Sequence, residues 1–99
     1  MGYKEELSQI LMEIGKLDPL AKDDQRRMVR LTEKAMNRLN NNNKYHQSEE
    51  LAYIIVQPKE FISLKGSQYE RPRMVVFRNA QHKITSILEE LFDPSELTK

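Results

Sequence analysis

Leu7, Ile10, Leu11 and Ile14 stand three, one and three residues apart, and Ile84, Ile87, Leu88 and Leu91 repeat those intervals far along the chain. At roughly 100° per residue, that spacing gathers each set of apolar side chains on one side of an α-helix. Two such stripes are stable only against a shared core. Covalent staples play no part, because there is no cysteine. Disulfides, thiolate nucleophiles and cysteine-based zinc sites are thereby excluded.

The first stripe predicts a helix from about Lys4 to Ile14, with Glu5 and Glu6 at the positive end of its dipole. Gly15 is expected as the left-handed residue that stops it, and Asp18-Pro19 as a turn. A second helix is expected from a cap at Asp23 or Asp24 to Leu39, with Met28, Leu31, Thr32, Ala35 and Leu39 as its apolar stripe. Asn40 to Asn43 should stop it, since Asn enters the left-handed region more readily than any residue but Gly. Residues 40–47 then read as a polar linker. The last helix is expected from Ala80 to Phe92, capped by Asn79 and stopped by Asp93-Pro94, with 95–99 as a frayed tail.

Between these helices the pattern changes. Leu51 to Val56 is a continuous apolar run rich in β-branched and aromatic residues, which suits a strand buried on both faces or a short buried helix. Gln57-Pro58-Lys59-Glu60 reads as a turn, Phe61 to Leu64 as a second strand, Lys65 to Pro72 as a loop, and Met74 to Phe77 as a third strand. The favoured fold class is therefore α+β, in the order α-α-β-β-β-α, with a short antiparallel three-stranded meander packed against helices. The rival makes 49–57 a helix and fuses 74–77 to the last one, giving an all-α four-helix domain.

A chain of 99 residues suits a single domain, 1–99. Its 38% hydrophobic and 31% charged residues are too apolar for disorder. No apolar stretch approaches the roughly 20 residues needed to span a bilayer, and no signal-type apolar segment opens the sequence. The expected setting is cytoplasmic, without a membrane.

Catalytic equipment is sparse. His46 and His82 have no second histidine three or four residues away, and three scattered glycines cannot form a phosphate-binding loop. Glu89 and Glu90 look like solvated charge near a helix end. We expect no enzyme, no cofactor and no metal.

Charge is more informative in its distribution than in its net value of +1. Residues 1–18 carry four acids against Lys4 and Lys16. Residues 22–46 carry seven Lys or Arg against Asp23, Asp24 and Glu33. Residues 59–83 carry six against Glu60 and Glu70. From residue 84 onward acids dominate again. On a helical wheel with Met28 at zero, Arg30, Lys34, Arg27 and Arg38 fall between about 200° and 280°, with Arg26 near 160°. A neutral surface helix would interleave acids at i,i+4, and here Glu33 alone lies near the arc. Arg71, Arg73 and Arg78 form a second candidate group, Arg71 and Arg73 sharing a face if that segment is a strand.

These residues suggest a small non-catalytic accessory protein that grips DNA or RNA phosphates through Arg26, Arg27, Arg30, Lys34, Arg38, Arg71, Arg73 and Arg78. The alternative is a protein-interaction module, a regulator, inhibitor or subunit, that uses a strand edge or sets its basic face against an acidic partner. A homodimer is also open. One arrangement would remove the first reading: carboxylates from the acidic ends docked onto residues 26–38.

Overall fold

The computed structural model of the chain describes residues 2–92. They form four helices, α1 (Tyr3–Lys16), α2 (Lys22–Asn41), α3 (Tyr45–Ser63) and α4 (Glu70–Glu90), with a 3-10 turn, Ser67–Tyr69, leading into α4. No strand occurs among the described residues, so the α+β expectation and its three-stranded meander are overturned in favour of the all-helical alternative. The helices pack as neighbours in the cyclic order α1, α2, α3, α4, with α1 again beside α4. Their connections are short, so successive helices run antiparallel in a bundle, and α2 and α4 stand at opposite corners.

The correction in the middle of the chain has a clear physical origin. Ser48, Leu51, Ile55 and Pro58 are all buried, at intervals of three, four and three, which is helical spacing. Tyr53 and Val56 in the same apolar run are exposed. The run that resembles a buried strand is thus one buried stripe of α3 and part of its outer face. Packing of that stripe outweighs the β preference of Ile and Val, which is worth only about 1 kcal/mol or less per residue. Pro58 does not make a turn. It sits inside α3 with its ring buried, at the cost of the N–H that would have met the Ile54 carbonyl. Phe61 to Leu64, expected as a strand, is the last turn and C-cap of α3.

Likewise Pro72 is not loop punctuation. It is the third residue of α4, in the first turn, where a missing N–H leaves no ladder bond unmade. The stripe of α4 runs Arg73, Phe77, Ala80, Ile84, Ile87, Leu88, so residues 74–77 are helical and Asn79, expected as a cap, lies mid-helix and exposed. The stripes of all four helices meet in one core, where Leu7, Ile14, Leu39, Leu51, Phe77 and Leu88 have no exposed surface. Burial stabilises the fold by roughly 1.5–3 kcal/mol for each large side chain.

Smaller corrections concern the helix ends. α1 continues through Gly15 to Lys16, with Leu17 as its C-cap. α2 begins at Lys22, so Asp23 and Asp24 lie in its first turn, and Ala21 is the N-cap. Asp24 serves the turn instead: its carboxylate accepts the Asp18 N–H at 2.8 Å, while the Asp18 carboxylate accepts the Leu20 N–H at 2.9 Å. The connection from α2 to α3 is three residues, 42–44, in which Asn43 adopts the left-handed conformation (φ 61°). Asp93-Pro94 and the 95–99 tail lie outside the described residues. No helix among the described residues is long and apolar enough to cross a membrane.

Two helices depend on α4 for their C-terminal ends. The Arg73 guanidinium is buried and donates from Nε to the Phe61 carbonyl at 3.1 Å, and from Nη2 to the Leu64 carbonyl. The Gln81 side-chain amide donates to the carbonyls of Ile14 at 2.9 Å and Leu17 at 2.8 Å. Both sets of acceptors belong to helix ends, where the last carbonyls lack partners within their own helix.

Candidate nucleic-acid interface

α2 carries the arrangement expected of it. Met28, Leu31, Thr32, Ala35 and Leu39 are buried, and the Thr32 hydroxyl donates to the Met28 carbonyl at 2.7 Å, which satisfies it inside the core. The opposite side of the helix therefore faces out, with its cations.

Packing divides those cations into two groups. α1 lies along one flank of α2 and brings two carboxylates to it. Glu6 pairs with Arg38, and Glu13 pairs with Arg27 at 3.5 Å. On the opposite flank Glu33 pairs with Lys59 of α3 at 3.2 Å. Acids from the start of the chain do dock onto the basic helix, then, but only along one edge. Arg26, Arg30 and Lys34 remain exposed on the crest, with no ion pair among the described residues. They are four residues apart, so each step along the crest is about 6 Å.

The crest leads into a concavity. At its N-terminal end a cavity of about 390 Å³ opens between α2 and the connection from α3 to α4. Lys22 and Arg26 line it from α2, and Lys65, Gly66 and Ser67 from the connection, with Glu70 as its one carboxylate and Arg73 beside it. Gly66 is required there. Its φ is +125°, a backbone conformation that residues with a side chain rarely adopt. A shallower depression bounded by Asp23, Arg26, Val29 and Arg30 joins this cavity through their shared Arg26 and Ile62. The cationic strip thus runs from Lys34 through Arg30 and Arg26 to Lys22 and Lys65. Lys22 was absent from the expected set because it precedes the anticipated start of the helix.

The second arginine group does not assemble. In a helix, Arg71 and Arg73 are separated by about 200°, not placed on one face. Arg73 is buried and turned inward to cap α3, while Arg71 and Arg78, seven residues apart, share the exposed side of α4. The outer side of α4 points away from the crest of α2, because the two helices occupy opposite corners. Of the eight expected residues, then, three form the open crest, two are paired with α1, one is structural and two lie on another face.

Elsewhere, His46 pairs with Glu50 at 2.8 Å on the exposed side of α3, and His82 is exposed on α4. Among the described residues, no group of three or more His, Cys, Asp or Glu stands close enough to hold a metal ion. Comparison with protein-family models, with curated proteins and with solved structures found no match.

Proposed function

We propose that this chain is a non-catalytic protein that binds nucleic acid by its phosphate backbone, through Arg26, Arg30 and Lys34 and the adjoining Lys22 and Lys65. The observation that supports this reading best is the selective pairing on α2. α1 supplies acids to one flank, the acid on the other flank, Glu33 of α2, is itself paired with Lys59 of α3, and the crest between them stays cationic. Near the strip, Asp23 and Glu70 are the opposing carboxylates, against five Lys or Arg. A convex row of cations ending in a cleft offers contacts to a charged polymer and no base-reading device. Binding is therefore weak and sequence-tolerant, in the range of about 10⁻⁴ to 10⁻⁶ M at physiological salt.

The test is a salt titration with mixed-sequence DNA and RNA. Three to five phosphate contacts give a slope of log affinity against log salt of roughly −2 to −5, depending on the strand form. Absence of binding at low salt ends the proposal. An acidic protein captured by the same strip, with no nucleic acid bound, would replace it with the interaction-module reading. The strand-edge version of that reading is already gone, because no strand occurs among the described residues.

A further inference from the structure

The cavity at the end of the cationic strip is lined by one charge that the strip does not use. Arg73 is only 8% exposed, and among the described residues it makes no ion pair. A guanidinium carries five N–H donors. Among the described residues Arg73 makes two hydrogen bonds, from Nε and Nη2 to the Phe61 and Leu64 carbonyls. Carbonyl dipoles hold the cation in place without cancelling its charge, and a buried charge without a counter-charge is costly. Lys22, Arg26 and Lys65, all exposed, line the same cavity from α2 and from the connection between α3 and α4. Glu70 is the one carboxylate among these four cations, and it pairs with none of them. The cavity thus has exposed cations at its rim and one anchored guanidinium in its wall.

We infer that this cavity takes a terminal phosphate, the monoester group at the end of a nucleic-acid strand. The inference rests on the proposed binding of nucleic acid along α2, and adds to it a preference for strand ends. Shape separates the two parts of the strip. The crest is convex and meets internal phosphates from outside, whereas a recess of about 390 Å³ admits the end of a chain. Charge points the same way. An internal phosphodiester carries one negative charge, while a monoester carries about −1.5 to −2 at pH 7 and three acceptor oxygens. Four cations against one carboxylate leave a surplus that suits the more highly charged group. The planar fork of Arg73 matches phosphate oxygens, and its two carbonyl bonds fix its orientation in advance, so little side-chain freedom is lost on binding. Ile62 and Leu64 offer an apolar wall to the terminal sugar or base. Arg26 borders both the cavity and the depression beside Arg30, so a strand that ends in the cavity continues along the crest. A free mononucleotide carries the same monoester but has nothing to lay on that crest.

The test compares three single-stranded oligonucleotides of one sequence at low salt, by the anisotropy of an internal fluorophore. One carries a 5′ phosphate, one a 3′ phosphate, and one ends in hydroxyls. At least one phosphorylated strand should bind the full chain about tenfold more tightly than the unphosphorylated one, as charge-assisted hydrogen bonds to one added group allow. Equal binding of all three overturns the inference and leaves backbone binding standing. Failure of all three to bind removes both. Because Arg73 also caps α3, the variants are placed at exposed positions, and circular dichroism checks that each keeps its helices. Lys22→Gln with Lys65→Gln should bring the preference for the phosphorylated strand close to one. Arg30→Glu with Lys34→Glu should weaken all three strands alike and leave the preference unchanged. A preference that survives the first pair and disappears with the second puts the terminal phosphate on the crest, and overturns the inference. Adenosine monophosphate should bind more weakly than the preferred strand. If it binds as tightly, the cavity is a mononucleotide site and the assignment to strand ends falls.

Discussion

α2 and α4 are nearly equal in length, at 20 and 21 residues, and both were expected to offer arginines to a partner. Only α2 does so as a row. Arg26, Arg30, Lys34 and Arg38 recur every four residues, so a helix collects them on one side. The three arginines of α4 are spaced two and five apart, so the same geometry scatters them: one is buried as a cap, and two are exposed. A cluster in sequence becomes a cluster in space only when its interval matches the period of the element that bears it. The neighbour matters equally. α1 pairs with the near edge of α2 and withdraws Arg27 and Arg38 from the row.

The sharpest way to break this contrast is at Arg73. If it is a structural cap, Arg73→Ala should lower the free energy of unfolding by about 2–3 kcal/mol, since charge-assisted bonds to two helix-end carbonyls are lost. Arg71→Ala and Arg78→Ala should each stay within about 0.5 kcal/mol in the same urea denaturation. Equal effects at all three positions would mean that the burial of Arg73 carries no weight. Next in size is the crest of α2. Arg30→Glu with Lys34→Glu should weaken DNA and RNA binding by about tenfold or more, for every sequence tested, and flatten the salt slope by about 2 units. Arg71→Gln with Arg78→Gln should leave that affinity unchanged. A loss from the α4 pair as large as that from the α2 pair would restore the two-cluster picture.

Two smaller effects refine it. Gln81→Ala should cost about 1 kcal/mol of stability by thermal or chemical unfolding, because two carbonyls of the α1 end lose their side-chain donor. Glu6→Gln with Glu13→Gln should change stability by less than about 1 kcal/mol, as expected for partly exposed ion pairs. The same double variant should also tighten nucleic-acid binding and steepen its salt dependence, by freeing Arg38 and Arg27. No gain in affinity would show that the crest alone sets the contact.

Much of this was legible in the residues. The apolar intervals of α1, α2 and the second half of α4 specify helices directly, and the wheel of α2 separates core from exterior. The left-handed Asn43 in the tract after α2 follows from the chemistry of asparagine. The helical period of α3 is hidden, because six apolar residues in a row conceal it. It emerges only when Ser48 and Pro58 are counted with Leu51 and Ile55, and a small polar residue and a proline are poor advertisements for a core. Pro72 suggests a break by its sequence alone, although a proline is equally at home in the first turn of a helix. Which arginines of α2 would be paired was a matter of tertiary packing. The seven-residue interval between Glu6 and Glu13 places them on one side of α1, but nothing local says which neighbour that side meets.

The dependence of two helix ends on α4 bears on how the chain matures. Arg73 and Gln81 are made after every residue of α1 and α3. Until the final third of the polypeptide has left the ribosome, the carbonyls of Leu17 and Leu64 lack the side-chain donors that α4 brings, and those of Ile14 and Phe61 have only the N–H groups of the C-caps. A nascent chain truncated before residue 73 therefore lacks the α4 donors together with Phe77, Ala80, Ile84, Ile87, Leu88 and Leu91 of the core, and the order of synthesis delays cooperative closure until the last segment arrives.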